Sequence, residues 1–68
     1  MLIQKGSWYF KVRQSTDPDE VMGKEFLGWC AQTPELGDSP LEVNENVYFD
    51  FGSTQEEVMT KLYREVLN

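Results

Sequence analysis

The sequence predicts a two-layer α+β domain in the order β-β-β-α, a three-stranded antiparallel sheet with one C-terminal helix packed on one face. Two observations carry this. Short aromatic and β-branched runs alternate with a period of two, and the last sixteen residues switch to a helical period behind a run of capping residues. With 68 residues there is room for a single domain, residues 1–68.

The first strand is Ser7–Gln14, in which Trp8, Phe10 and Val12 point one way and Tyr9, Lys11 and Arg13 the other. Ser15-Thr16-Asp17-Pro18-Asp19-Glu20 follows with turn chemistry, and Val21–Lys24 completes the connection. The second strand, Glu25–Thr33, places Leu27, Trp29 and Ala31 on one face and Phe26, Gly28 and Cys30 on the other. Gly28, inside a strand, marks a bulge or a close backbone approach. Two prolines and a glycine in Thr33–Pro40 stop that strand. Leu41 and Val43 then alternate with Glu42 and Asn44, which fits either a loop or a short extension of the sheet. The third strand, Asn46–Phe51, turns Val47, Phe49 and Phe51 inward and Tyr48 and Asp50 outward, and Gly52 ends it.

Ser53-Thr54-Gln55-Glu56-Glu57 holds two overlapping capping boxes, Ser53 with Glu56 and Thr54 with Glu57. Val58, Met59, Leu62, Tyr63, Val66 and Leu67 form one stripe, with Glu57, Lys61 and Glu65 on the wet side. The apolar sheet face expected beneath this helix is Trp8, Phe10, Val12, Leu27, Trp29, Ala31, Val47, Phe49 and Phe51. The opposite face, with Tyr9, Lys11, Arg13, Phe26, Cys30, Tyr48 and Asp50, is expected to lie open. It is either solvated, or in contact with a partner through Tyr9, Lys11, Arg13, Phe26, Tyr48 and Asp50, or a base-stacking platform, which the net charge opposes.

Composition narrows the chemistry. There is no histidine, which removes the commonest general base and the commonest metal ligand, and the single cysteine, Cys30, has no histidine to activate it. No phosphate-binding glycine motif occurs, and Asp17-Pro18-Asp19-Glu20 lacks the ligand spacing of a calcium loop. No enzyme is expected, with no catalytic, cofactor or metal residues. The lone cysteine, the absence of a long apolar run and the polar start fit a cytoplasmic protein without a membrane span.

Twelve acids face six bases, a net charge of −6, and the imbalance is local. Residues 1–13 carry +3, residues 14–50 carry −8 and residues 51–68 carry −1. Such a surface repels nucleic acid and steers toward basic partners. A chain this short buries only about 60% of its unfolded surface, and two sheet edges invite pairing, so a homodimer is expected.

Pro34-Glu35-Leu36-Gly37, ahead of Gly52-Ser53-Thr54-Gln55-Glu56-Glu57-Val58 and the stripe through Leu62, resembles the HicB-like antitoxin domain. Members of that family carry a "fPDLpG" segment at the end of the second strand and "GDTxEEA" at the helix entry. The resemblance spans roughly residues 8–68 and implies a partial ribonuclease-H-like fold. It implies a non-catalytic module that masks a small basic ribonuclease-type toxin. Three departures stand beside it: an insertion at Asp38–Asn46, no cysteine after Gly37, and no DNA-binding segment expected after the helix. A phage-type acidic inhibitor that mimics nucleic acid is the alternative. A carboxylate hydrolase using Asp50 and Glu25 is a third reading.

Overall fold

A computed structural model describes residues 2–15 and 25–68 of the chain. The elements are β1 (Leu2–Lys5), β2 (Trp8–Gln14), β3 (Phe26–Ala31), a 3-10 turn at Pro40–Glu42, β4 (Tyr48–Gly52) and α1 (Gln55–Val66). The strands form one antiparallel meander in the order β1-β2-β3-β4, and α1 packs on it. The class is therefore α+β as expected, with four strands rather than three. The turn at Asp17-Pro18-Asp19-Glu20 lies outside the described residues.

The additional strand is β1. Lys5 pairs with Trp8, so Gly6-Ser7 is a two-residue hairpin loop. Gly6 takes φ +62°, the left-handed value that the first central position of the tight hairpin turns demands. Gly-Ser between two pairing residues is a hairpin signal, but Leu2–Lys5 has too few β-branched residues to announce a strand unaided.

Cross-strand register fixes the faces. Phe10 is opposite Cys30, and Cys30 is opposite Tyr48. Opposed residues share a face, so Trp8, Phe10 and Val12 lie with Phe26, Gly28 and Cys30 beneath α1, where Phe10, Cys30, Val58 and Leu62 form one buried cluster. Leu27, Trp29 and Ala31 lie on the other face and bury Leu36 with them. The expected inner face was right for β2 and inverted for β3 and β4. Alternation within a strand defines two faces, but only the register between strands says which of them meet, and one residue of slip exchanges them all.

The sheet's second face is thus covered. Residues 32–47 cross it as an irregular strap with Leu36 as its plug, and Val43 and Val47 pack against the same cluster. Burying a leucine contributes about 1.5–3 kcal/mol, a large share of the stability of so small a domain. Leu41 and its neighbours form the 3-10 turn and add no strand.

The helix begins at Thr54, whose hydroxyl accepts the Glu57 N–H at 3.1 Å. Glu57 in turn reaches back to the Ser53 N–H. Of the two overlapping capping boxes only the Thr54 half of the second forms, because the Glu57 carboxylate accepts the N–H of Ser53 and not that of Thr54. Val58 and Leu62 are buried, and Met59, Tyr63 and Val66 pack around them. Leu67 lies beyond the last turn and is exposed. Among the described residues no helix is long and apolar enough to cross a membrane.

Two glycines let α1 approach. A Cβ on Gly28 would lie 2.3 Å from Val58 Cγ1, and one on Gly52 would lie 2.9 Å from Val58 Cγ2. Val58 therefore sits in a notch between β3 and β4, which is the close approach that Gly28 signals in the sequence. Gly28→Ala gains about 0.4–1 kcal/mol by restricting the unfolded chain. It loses about 1–3 kcal/mol to overpacking, so the clash wins. The expected result is a lower urea midpoint at unchanged slope, partly restored when Val58→Ala is added. An unchanged midpoint in Gly28→Ala would refute the notch.

Candidate functional site

The six residues expected on one open face divide between two. Tyr9, Lys11 and Arg13 lie on the strap side, and Phe26, Tyr48 and Asp50 lie on the helix side. No shared platform exists.

On the strap side the cations are committed inward. The Lys11 ammonium donates to the Gly37 carbonyl at 2.8 Å, and the Arg13 Nε–H donates to the Asp38 carbonyl at 2.8 Å. Trp29 Nε1–H donates to the Leu36 carbonyl at 2.9 Å, and the Arg13 guanidinium sits over the Trp29 ring. Three consecutive carbonyls of the strap are thereby held by three side chains of the sheet. Hydrogen bonds from a charged donor contribute roughly 1.5–3 kcal/mol each, whereas an exposed ion pair contributes about 0–1. The carbonyl bonds therefore outweigh the 3.7 Å contact between Lys11 and Asp38, whose carboxylate is 93% exposed. Tyr9 packs half-buried beneath the same segment.

Gly37 makes this course of the strap feasible. It takes φ +64°, and a Cβ there would lie 2.7 Å from the Cβ of Glu42. Glu42 folds over it to accept the Asp38 N–H at 2.9 Å. Pro34-Glu35-Leu36-Gly37 is thus a plug followed by a turn, a structural role that its composition only partly announces.

On the helix side Phe26 packs against the Val58 cluster, and Tyr48 meets Trp8 edge to face at 5.7 Å. Asp50 performs a different task. Its carboxylate accepts the Phe51 N–H at 2.8 Å, and Lys61 donates to the Phe51 carbonyl at 2.9 Å. Lys61 also lies 3.8 Å from Asp50. In an antiparallel pair the two backbone groups of a residue point to the same side, alternating along the strand. Both groups of Phe51 are taken by side chains, so they point away from β3, and those of Phe49 point with them. The Asp50–Lys61 pair therefore closes the outer edge of β4 at Phe51. Among the described residues no side chain caps the corresponding groups of Phe49.

Beside this edge, on the strap face, lies a hollow of about 200 Å³ lined by Leu27, Ser39, Pro40, Leu41, Phe49 and Phe51. Leu41 is 95% exposed and Phe49 is 54% exposed. Sequence reading assigned Phe49 to the core and left Leu41 undecided. A leucine between Pro40 and Glu42 in a turn was the available sign of an outward apolar group. A second groove, about 450 Å³, runs between α1 and β1 past Ile3, Val12, Met59 and Tyr63. It exists because α1 lies mainly over β3 and β4.

Among the described residues, no three of His, Cys, Asp and Glu come together as a metal-binding group. Asp50, one of the two carboxylates of the hydrolase reading, is engaged by Lys61 and the Phe51 N–H. Cys30 is fully buried, and burial, reinforced by the negative charge of Glu65, raises its thiol from 9.0 to about 11 against an opposing hydrogen bond from the Tyr48 backbone. Compared with protein-family models, with curated proteins and with solved structures, the chain matches none.

Two expectations follow. Cys30 in the folded chain resists thiol reagents at neutral pH and reacts only on unfolding. The folded thiol keeps its proton longer than the unfolded one, so this stabilisation is complete below pH 9.0 and fades as pH rises toward about 11. Urea midpoints should fall across that window, and Cys30→Ala should flatten the slope. A fast-reacting native thiol would contradict this. Separately, Lys61→Met should uncover the edge of β4 and raise the mass seen by light scattering with increasing concentration, while Lys61→Arg should not. Identical masses for both variants would mean that Lys61 guards nothing.

Proposed function

We propose that this chain is a non-catalytic protein-binding module of the HicB-like antitoxin kind, which masks a small basic ribonuclease-type partner. The observation that carries the reading is the direction in which its charges point. Lys11, Arg13 and Lys61 are half-buried and donate to backbone carbonyls, and Lys5 lies over the Tyr63 ring. Glu25, Glu35, Asp38, Glu42, Glu45, Glu56, Glu57 and Glu65 are all exposed. Arg64 is exposed as well, and Glu42, Glu45 and Glu57 accept backbone N–H groups, but those acids stay exposed while Lys11, Arg13 and Lys61 are half-buried, so the exposed charge is predominantly acidic. Such a surface speeds encounter with a basic protein and opposes phosphate backbones.

The nucleic-acid mimic needs its acids on one surface. Glu35, Asp38, Glu42 and Glu45 belong to the strap, whereas Glu56, Glu57 and Glu65 belong to α1 on the opposite face of the sheet. This division favours a basic protein over a strand of phosphates as the model for what the acids meet. Homodimerisation is part of the proposal. It is assigned to β1, since β4 is closed at Phe51 and Leu2 on β1 is exposed.

The test is calorimetric titration of the full chain with a basic ribonuclease-type protein and with single-stranded RNA. The complex should weaken at least about tenfold as salt is raised through the range where the Debye length falls below about 8 Å, and RNA should not bind. Tight RNA binding at physiological salt would overturn the reading.

A further inference from the structure

The hollow beside β4 brings together two exposed apolar side chains, Leu41 and Phe49, and three properties define what fits it. First, it is too small for a typical small-molecule pocket, which occupies about 300–1,000 Å³, and is of a size for one protein side chain. Second, its lining is almost wholly apolar, Ser39 being the exception, and the side chain of Ser39 accepts the Leu41 N–H at 3.2 Å. Third, the turn that raises Leu41 at its rim also carries Asp38 and Glu42, and the Asp38 carboxylate keeps nearly all of its surface in water despite Lys11 at 3.7 Å.

The edge next to the hollow constrains the direction of approach. A partner strand laid along β4 would have to displace both Asp50 and Lys61 from Phe51. A partner approaching the face meets no such obstacle. We infer that the hollow formed by Leu27, Leu41, Phe49 and Phe51 is a face-on docking site for a basic segment of a partner protein. A single apolar side chain of that segment would seat between Leu41 and Phe49, with a neighbouring lysine or arginine meeting the paired Asp38 and Glu42.

This inference rests on the proposed binding of a basic protein and adds the site and the anchor. A second copy of the chain is a poorer occupant of this face, because Asp38 and Glu42 at the rim would meet like charge instead of base. Apolar contact supplies the affinity and flanking charge the selectivity, the usual division between the centre and rim of an interface.

The test uses the full chain, labelled with nitrogen-15, and three synthetic peptides. One carries a central leucine flanked by two lysines or arginines on each side. In the second, glycine replaces the leucine, and in the third, glutamates replace the bases. The basic leucine peptide should shift the amide signals of Leu41, Phe49 and Phe51, with the glycine peptide at least about tenfold weaker and the glutamate peptide silent. Leu41→Ser, at a side chain that packs on nothing, should weaken the leucine peptide about tenfold and leave the fold intact. Asp38→Asn should weaken it about threefold and reduce its salt dependence.

Shifts confined to Ile3, Met59 and Tyr63 would overturn the hollow while leaving the basic-partner reading standing. Silence from every peptide would count against both. Concentration-dependent shifts at Leu41 and Phe49 in the chain alone would identify a second copy as the occupant and overturn the inference.

Discussion

Leu27, Trp29 and Ala31 on one side of β3, and Gly28 and Cys30 on the other, are all buried, so a single six-residue strand faces two cores at once. Among the described residues no other element carries fully buried residues on both faces, since β1 and β4 are edges and β2 turns half-buried Tyr9, Lys11 and Arg13 toward the strap. The helix and the strap are both attached to β3, one through the glycine notch that admits Val58 and the other through the indole N–H that holds Leu36. Loss of β3 would leave neither layer with a surface to cover.

That constraint explains the division of labour among the charges. A strap without regular structure needs partners for its carbonyls, and the sheet beneath it supplies Trp29, Lys11 and Arg13 at successive positions 36, 37 and 38. A sheet edge needs protection, and Asp50 with Lys61 supplies it at Phe51. Each cation so used is held half-buried, and the more exposed acids dominate the chain's electrostatic character. The acidity proposed to select a basic partner is therefore coupled to how the fold closes its irregular backbone.

Much of the fold was legible in the sequence. The strands β2, β3 and β4, the Thr54 cap and the apolar stripe at Val58 and Leu62 follow from local periodicity and capping chemistry, and of the two readings of Gly28, a bulge or a close approach, the close approach is the one found. The run from Phe26 to Ala31 held a further sign. It is apolar on both parities, the mark of a strand buried on both faces, and it outranks the simple alternation that assigned Lys11 and Arg13 to an open platform. The Gly6-Ser7 hairpin was legible in the same way. The candidate site was less so, because exposure of Leu41 and Phe49 depends on where the strap lies.

By itself the sequence determined the class, the helix and its cap, the acidic balance and the absence of histidine chemistry, since each is a property of composition or of neighbours within a few residues. Tertiary structure alone decided the register of β2 on β3, the second core around Leu36, the closing of the β4 edge by Asp50 and Lys61, and the position of the hollow. Lys11 to Gly37 and Lys61 to Phe51, 26 and 10 positions apart, are among the contacts that build them. Their geometry is set by which strand faces meet, a choice that alternation within a strand leaves open and that packing on both sides of β3 resolves.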